Sequence, residues 1–371
     1  MARCISRSPK SVRYVASFFG IARRNKTGRF PRRATHVRHA LVLAFLLPAI
    51  HLSGTAVRRA QIGVPAEAIS LRSPEALLAG ECPGWFPDDF GLKDHTVFEY
   101  DGLYYIASIY LGSDGYEDRF AYAASSDLCH WQVMDGILQT RPAGDWDEFR
   151  IWAPFVYEEN GVYYLYYTGV TESIAQSIML ATSTNPADPD SWVRQGVMFQ
   201  PDHPGSVWEG FDKWSDCRDP TVFKIGALYH MYYTGLDVDG GIVGLATAPT
   251  PAGPWTDQGA VMTKSEVMLE SPTLAFFDGM YYLFYHQSSQ VASRPVYHYG
   301  QTPSGPWSEA FPLFPGWAHE VWMGQDAHWY TSFLTDYSIT IRPLTWNDYY
   351  QPPRPFIGAE IHRFFLPQVQ G

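Results

Sequence analysis

The chain has 371 residues and a mass of 42.0 kDa, room for two ordinary domains or one large all-β or α/β domain. Hydrophobic residues at 46% and charged residues at 18% make a globular composition and exclude wholesale disorder. Aromatics at 16%, with 31 Gly and 28 Pro, favour many short strands separated by turns.

The formal charge of −11 is unevenly spread. Residues 1–62 carry 13 Lys and Arg and no acid, which leaves 14 basic against 38 acidic residues in 63–371, a formal −24. A surface that acidic repels nucleic acid and anionic lipid, so nucleic acid is excluded as a partner.

Within residues 1–56 the run Ala40–Ile50 (ALVLAFLLPAI) is uncharged, too short to span a bilayer and suited to a signal h-region. Small residues at Gly54, Thr55 and Ala56 offer a cleavage site, and a start at Val37 would give a leader of ordinary length. The alternative reading is a membrane-anchoring helix. A secreted or periplasmic protein is expected, without stable membrane insertion of the mature domain. Residues 57–84 read as a lead-in segment, 85–366 as the main domain and 367–371 as a tail. Beyond the leader stand Cys82, Cys129 and Cys217, which permit one internal disulfide at most; no CxxC or Cys/His spacing suggests zinc.

The main domain repeats five times. DHTVFEYDGLYYI from Asp94 matches APFVYEENGVYYL from Ala153, DPTVFKIGALYHM from Asp219, SPTLAFFDGMYYL from Ser271 and, most weakly, HEVWMGQDAHWYT from His319. An aromatic pair begins ten residues into each copy, at Tyr104, Tyr163, Tyr229, Tyr281 and Trp329. Each copy closes on a tryptophan after a turn-rich stretch (Trp131, Trp192, Trp255, Trp307 and Trp346), where a last strand should open. Runs such as YYLYYTG alternate with the period of half-buried strands. Each unit therefore reads as a four-stranded antiparallel meander. Five of these around an axis make a five-bladed β-propeller, an all-β fold whose aromatic pairs pack the blades.

Equivalent positions of a repeat should carry equivalent packing residues unless chemistry intervenes. Here the first positions hold Asp94, Ala153, Asp219, Ser271 and His319, with Glu270 just before Ser271. All would meet at one end of the central channel. Packing alone would not gather three carboxylates, because burying them together costs several kcal/mol unless they are paired or solvated. A lone Asp at a strand start is an ordinary turn cap; three at matched positions suit glycoside hydrolysis, where one carboxylic acid protonates the leaving oxygen and a carboxylate attacks or activates water.

The set DHTVF, WAPFVYEENGVYYLYYTG, RDPTVF and ESPTLAFFDGMYYLFY resembles the five-bladed glycoside hydrolases of families 43 and 32, in the order Asp, Trp-Ala-Pro, Asp-Pro, Glu-x-Pro. The resemblance implies Asp94 as general base or nucleophile, Asp219 as transition-state stabiliser and pKa modulator, and Glu270 as general acid. On those roles Asp94 should set the acidic limb of the pH profile and Glu270 the alkaline limb. The resemblance also implies that Trp152 and Arg218 shape the sugar subsite. It puts His319 where many family 43 members carry a histidine beside calcium; a channel histidine without metal is the other reading. His95 departs from the usual context after the first Asp, and with no C-terminal sandwich of the family 32 kind expected, the resemblance tilts toward family 43. GECPGWF at 80–86 mimics the family 32 acid motif but precedes every blade, so Glu81 reads as a loop residue. Acidic and aromatic inserts (Trp146 among Asp145, Asp147 and Glu148; Trp208-Glu209; Phe211-Asp212) should lie on the channel rim.

The sequence is therefore read as a monomeric glycosidase of oligo- or polysaccharides with arabinofuranosyl, xylosyl or fructofuranosyl units. It is expected to require no cofactor, apart from a structural calcium near His319. A non-catalytic carbohydrate-binding propeller and a protein-interaction propeller are the rivals. A phosphorylase lacks an evident cationic phosphate cradle.

Overall fold

The computed structural model describes residues 84–289 and 292–357. The leader, Glu81, Cys82 and the tail lie outside the described residues. Five antiparallel sheets succeed one another along the chain as blades, each a meander running outward from the channel. The first comprises β2 (Gly91–Tyr100), β3 (Leu103–Leu111), β4 (Arg119–Ser125) and β5 (Gln132–Gln139). The second comprises β6 (Arg150–Glu159), β7 (Val162–Val170), β8 (Gln176–Ser183) and β9 (Val193–Phe199). The third comprises β10 (Cys217–Ile225), β11 (Leu228–Asp237), β12 (Gly240–Ala248) and β13 (Thr256–Lys264). The fourth comprises β14 (Met268–Phe277), β15 (Met280–Ser288), β16 (Ser293–Gly300) and the short β17 (Phe311–Pro312).

The fifth blade closes the ring. Its inner strands β18 (Trp317–Met323), β19 (Trp329–Thr335) and β20 (Ser338–Asn347) are consecutive. Its outer edge is shared: β1 (Gly84–Trp85) pairs with Thr340 and Ile339, while β21 (Arg354–Ile357) pairs further along β20. Trp346, expected to open a last strand, instead ends β20, because this blade takes its outer edge from two separate segments.

Aromatic side chains fill the layers between blades, as the repeat requires. Tyr122, Tyr166, Tyr232 and Tyr282 are fully buried, and a buried phenol usually finds a hydrogen-bond partner. Four adjacent pairs of blades share one solution: Tyr122 donates to the carbonyl of Pro186 (2.9 Å), Tyr166 to Pro251 (2.5 Å), Tyr232 to Pro303 (2.6 Å) and Tyr282 to Pro353 (2.7 Å). The proline-rich turns thus receive a rung from the preceding blade. Tyr330 of the fifth blade turns to Asp326 of its own hairpin instead (2.5 Å).

Every innermost strand carries a register shift near the same end of the channel: between Leu92 and His95, Trp152 and Phe155, Arg218 and Thr221, Glu270 and Thr273, and Trp317 and Glu320. In four of the five a non-glycine residue there is left-handed: Ala153 (φ 44), Asp219 (φ 56), Ser271 (φ 51) and Ala318 (φ 50). Such a residue costs about 1–2 kcal/mol, and a bulge re-aims side chains. The proline after three of them (Pro154, Pro220, Pro272) has no N–H for the ladder to lose. By this geometry the fifth counterpart of Asp219 is Ala318. His319, aligned by sequence to that position, falls one place later, where the second, third and fourth blades have proline and the first has His95.

Candidate active site

The bulges turn backbone and side chains into a cavity at the channel mouth, lined by Asp94, His95, Pro154, Asp219, Ser271, Pro272, His319 and Glu320 among others. Ser271 bridges two of the expected carboxylates: its N–H donates to Asp219 Oδ2 (2.9 Å) and its hydroxyl faces Asp94 Oδ1 at 3.4 Å. Thr234 also donates to Asp219 Oδ2 (2.8 Å). Arg218 gathers the rest. Its guanidinium donates to Glu270 Oε1 (2.8 Å), contacts Asp216 and lies 3.7 Å from Asp219 Oδ2. Ser288 completes Glu270 by donating to Oε2 (2.6 Å). Asp94, Asp219, Glu270 and Arg218 are therefore one connected cluster.

These contacts decide where protons sit. Burial, reinforced by the charges of Asp219 and Glu270, raises Asp94 to about 7, although Lys93 and Arg218 oppose the shift. Burial raises Asp219 as well, against the pull of Arg218. Glu270 moves the other way: burial would raise it, but Arg218 and the Ser288 hydroxyl outweigh that and hold it below the usual carboxylate range. In the free site Asp94 therefore takes up a proton at higher pH than Glu270 does. This order is opposite to the expectation of an ionised Asp94 beside a protonated Glu270.

Two further acids surround the cluster without any motif to announce them. Glu117, buried at 2% exposure, accepts from Arg150 (2.6 Å) and from the Trp152 indole N–H (2.7 Å), and pairs with Lys93. It ties the residue before Asp94 to the start of β6. Trp152, expected at the sugar subsite, is 7% exposed and sits in the core between the first and second blades. Glu320 enters from the fifth blade and accepts from the N–H of Val97 (3.1 Å); burial pushes its carboxyl well above the ordinary range. Only its spacing from the bulge could have marked Glu320, and the weak fifth repeat hid that register.

His319 is buried against Phe314 and Phe333, and burial lowers its pKa to about 3, so it is neutral. Its Nε2 is buried without a hydrogen-bond partner. Calcium is held by six to eight oxygens. Among the described residues no group of three His, Cys, Asp or Glu is placed to hold a metal, so the side chains about His319 do not form a calcium cage by themselves. Cys129 is disulfide-bonded and Cys217 is free and buried; the partner of Cys129 lies outside the described residues.

Carboxylates gathered around one arginine at the channel of a five-bladed propeller can divide the acid and base duties of glycoside hydrolysis. Residues 90–215, about a third of the chain, match the family model Glycosyl hydrolases family 43, and on this match the protein is a glycosidase resembling that family. No curated protein matches the chain. Solved structures share the fold. An exo-1,5-α-L-arabinanase from a bovine ruminal metagenomic library is 16% identical over 75% of this chain and 100% of its own, with a TM-score of 0.55. An α-L-arabinofuranosidase from Lactobacillus brevis is 15% identical over 74% and 96%, with a TM-score of 0.57. A sucrose-6-phosphate hydrolase from Lactobacillus gasseri is 18% identical over 75% and 62%, with a TM-score of 0.57. No helix among the described residues is long and apolar enough to cross a membrane.

Proposed function

We propose that this glycosidase cleaves terminal or short-chain arabinofuranosyl, xylosyl or fructofuranosyl glycosides, with Glu270 as general acid, Asp94 as base or nucleophile and Asp219 as the anion facing the developing positive charge. The observation that carries the reading is the joining of Asp94, Asp219 and Glu270 through Ser271 and Arg218 beside a cavity that Asp94 and Asp219 line. Carboxyl groups whose environments drive their pKa values apart are the mark of divided acid and base duty. The productive form holds one proton on the Asp94–Glu270 pair, and for turnover that proton must sit on Glu270. Binding of a neutral sugar beside Arg218 would compete for the guanidinium and release Glu270 toward its protonated form. The active pH range is then bounded below by the depressed Glu270 and above by Asp94, near 7. We further propose a secreted monomer; the disulfide at Cys129 suits an oxidising compartment.

Leaving-group dependence tests the roles. Glu270→Ala should lose about 10²–10⁴-fold on an alkyl glycoside, whose alcohol needs a proton, and far less on a dinitrophenyl glycoside. Asp94→Ala should lose activity on both. A Glu270→Ala variant as active as wild type on the alkyl glycoside would reject the assignment. A wild-type protein that binds these sugars without turning any over would favour the carbohydrate-binding propeller.

A further inference from the structure

The long connection between β9 and β10, residues 200–216, is strapped to the mouth of the channel. Its Trp208 indole donates to the carbonyl of Gln176 (2.8 Å), Thr171 donates to the carbonyl of Phe211 (3.1 Å), and Val207 N–H donates to the carbonyl of Leu236 (3.1 Å). Trp208 stacks on Trp146 at 5.7 Å, and Trp146 meets Phe211 edge-on at 4.9 Å. These rings, expected on the rim, are thus occupied with one another and brace the connection between the second and third blades.

One tryptophan of the connection is not so engaged: Trp214 is 44% exposed. Its direction follows from its neighbours. Ser215 bridges Ala175 and caps the N–H groups of Glu209 and Gly210 (2.8 and 3.0 Å), and Cys217 enters the core between the second and third blades. Asp216 and Arg218 point the opposite way, into the carboxylate cluster. Side chains alternate along an extended segment, so Trp214 shares the face of Asp216 and Arg218. Four residues at about 3.3 Å each put it roughly 13 Å above Arg218, beyond the reach of a single sugar at the cluster.

We propose that Trp214 is a stacking platform for a sugar unit on the leaving-group side of the scissile bond, and so selects oligosaccharides over simple glycosides. The leaving-group side is assigned because Arg218, at the foot of this face, holds Glu270, the acid of the proposed function on which this inference rests. A half-exposed indole gives the C–H face of a pyranose or furanose a flat surface to stack on, and Lys213, the residue before it, is paired with Glu209 at 3.2 Å.

The test compares wild type, Trp214→Ala and Trp214→Phe on a nitrophenyl monosaccharide glycoside and on arabino-, xylo- and fructo-trisaccharides. Trp214→Ala should lower kcat/KM about 3- to 10-fold on the trisaccharide that wild type cleaves best, mainly through KM, and leave the nitrophenyl substrate unchanged. Trp214→Phe should restore most of the loss. Equal losses on both substrate classes, or none on either, would overturn the proposal. If wild type hydrolyses none of these compounds, the hydrolase reading fails separately. Calorimetric binding of the same trisaccharides then decides: weaker binding by Trp214→Ala supports the platform, and unchanged or undetectable binding rejects it.

Discussion

Removing Arg218 should shift the acidic limb of the activity profile by more than any other single change outside the carboxylates themselves. Its guanidinium lies 2.8 Å from Glu270 Oε1 and is the main influence that overcomes Glu270's burial. Taking the charges as about 4 Å apart at an effective dielectric of about 20 gives roughly 4 kcal/mol of attraction, or about 3 pKa units. Ser288 keeps its bond to Oε2 in the variant and relaxation recovers part of the rest, so an upward movement of about 2 units is expected. Arg218→Met would be followed as kcat/KM against pH on the best nitrophenyl glycoside, with circular dichroism confirming the fold at each pH. The acidic limb should move alkaline by about 2 units, whereas Arg218→Lys, which keeps the charge but loses the fork that spans Glu270 and Asp216, should move it only partway. A folded Arg218→Met variant with its acidic limb unmoved would show that Glu270 does not set that limb, and the proton order inferred for the free site would be wrong.

Two other substitutions probe neighbouring acids. Asp219→Asn keeps an acceptor for Ser271 or Thr234, so it should melt within a few degrees of wild type while losing about 10²–10³-fold in kcat, measured beside a thermal melt. Glu320 has its folded pKa raised, so its contribution is fully present below its unfolded value of about 4.5 and is lost as pH rises toward the folded value. Glu320→Gln keeps an acceptor for Val97 and does not titrate. It should match wild type in denaturant melts near pH 4 and become progressively more stable above that, and a gap that narrows with rising pH would contradict the buried, neutral Glu320.

The repeat made the blades legible because each is a local meander: Tyr104, Tyr163, Tyr229 and Tyr281 recur at one spacing from Asp94, Ala153, Asp219 and Ser271, and that spacing is a hairpin. What lay beyond the sequence was non-local. Glu117 acquires its role only because Lys93, Arg150 and Trp152 converge on it from two other strands. The left-handed bulge at Ala318 cannot be told from its neighbours once the fifth hairpin lengthens, so spacing alone places His319 one position early and leaves Glu320 unmarked. Asp94, Asp219 and Glu270 are joined through Ser271 and Arg218, but their proton order depends on Arg218 facing Glu270 more closely than Asp94, a matter of angstroms that spacing does not encode.

The two-residue strand β1 has a consequence in time. Gly84 and Trp85 find their partners, Thr340 and Ile339, more than 250 residues further along the chain, so a growing polypeptide cannot seat them until the fifth blade is made. Four blades can form from contacts close in sequence, while the last step is a long loop closure of the kind that slows folding. Until then the outer edge of β20 beside Ile339 and Thr340 stays unpaired, a template for another chain's strand. Trp85, 3% exposed in the finished ring and packed on Phe90 and Trp131, acts as the latch that ends this vulnerable interval. A chain that folds four blades correctly and misplaces this one indole would be most prone to join its neighbours edge to edge.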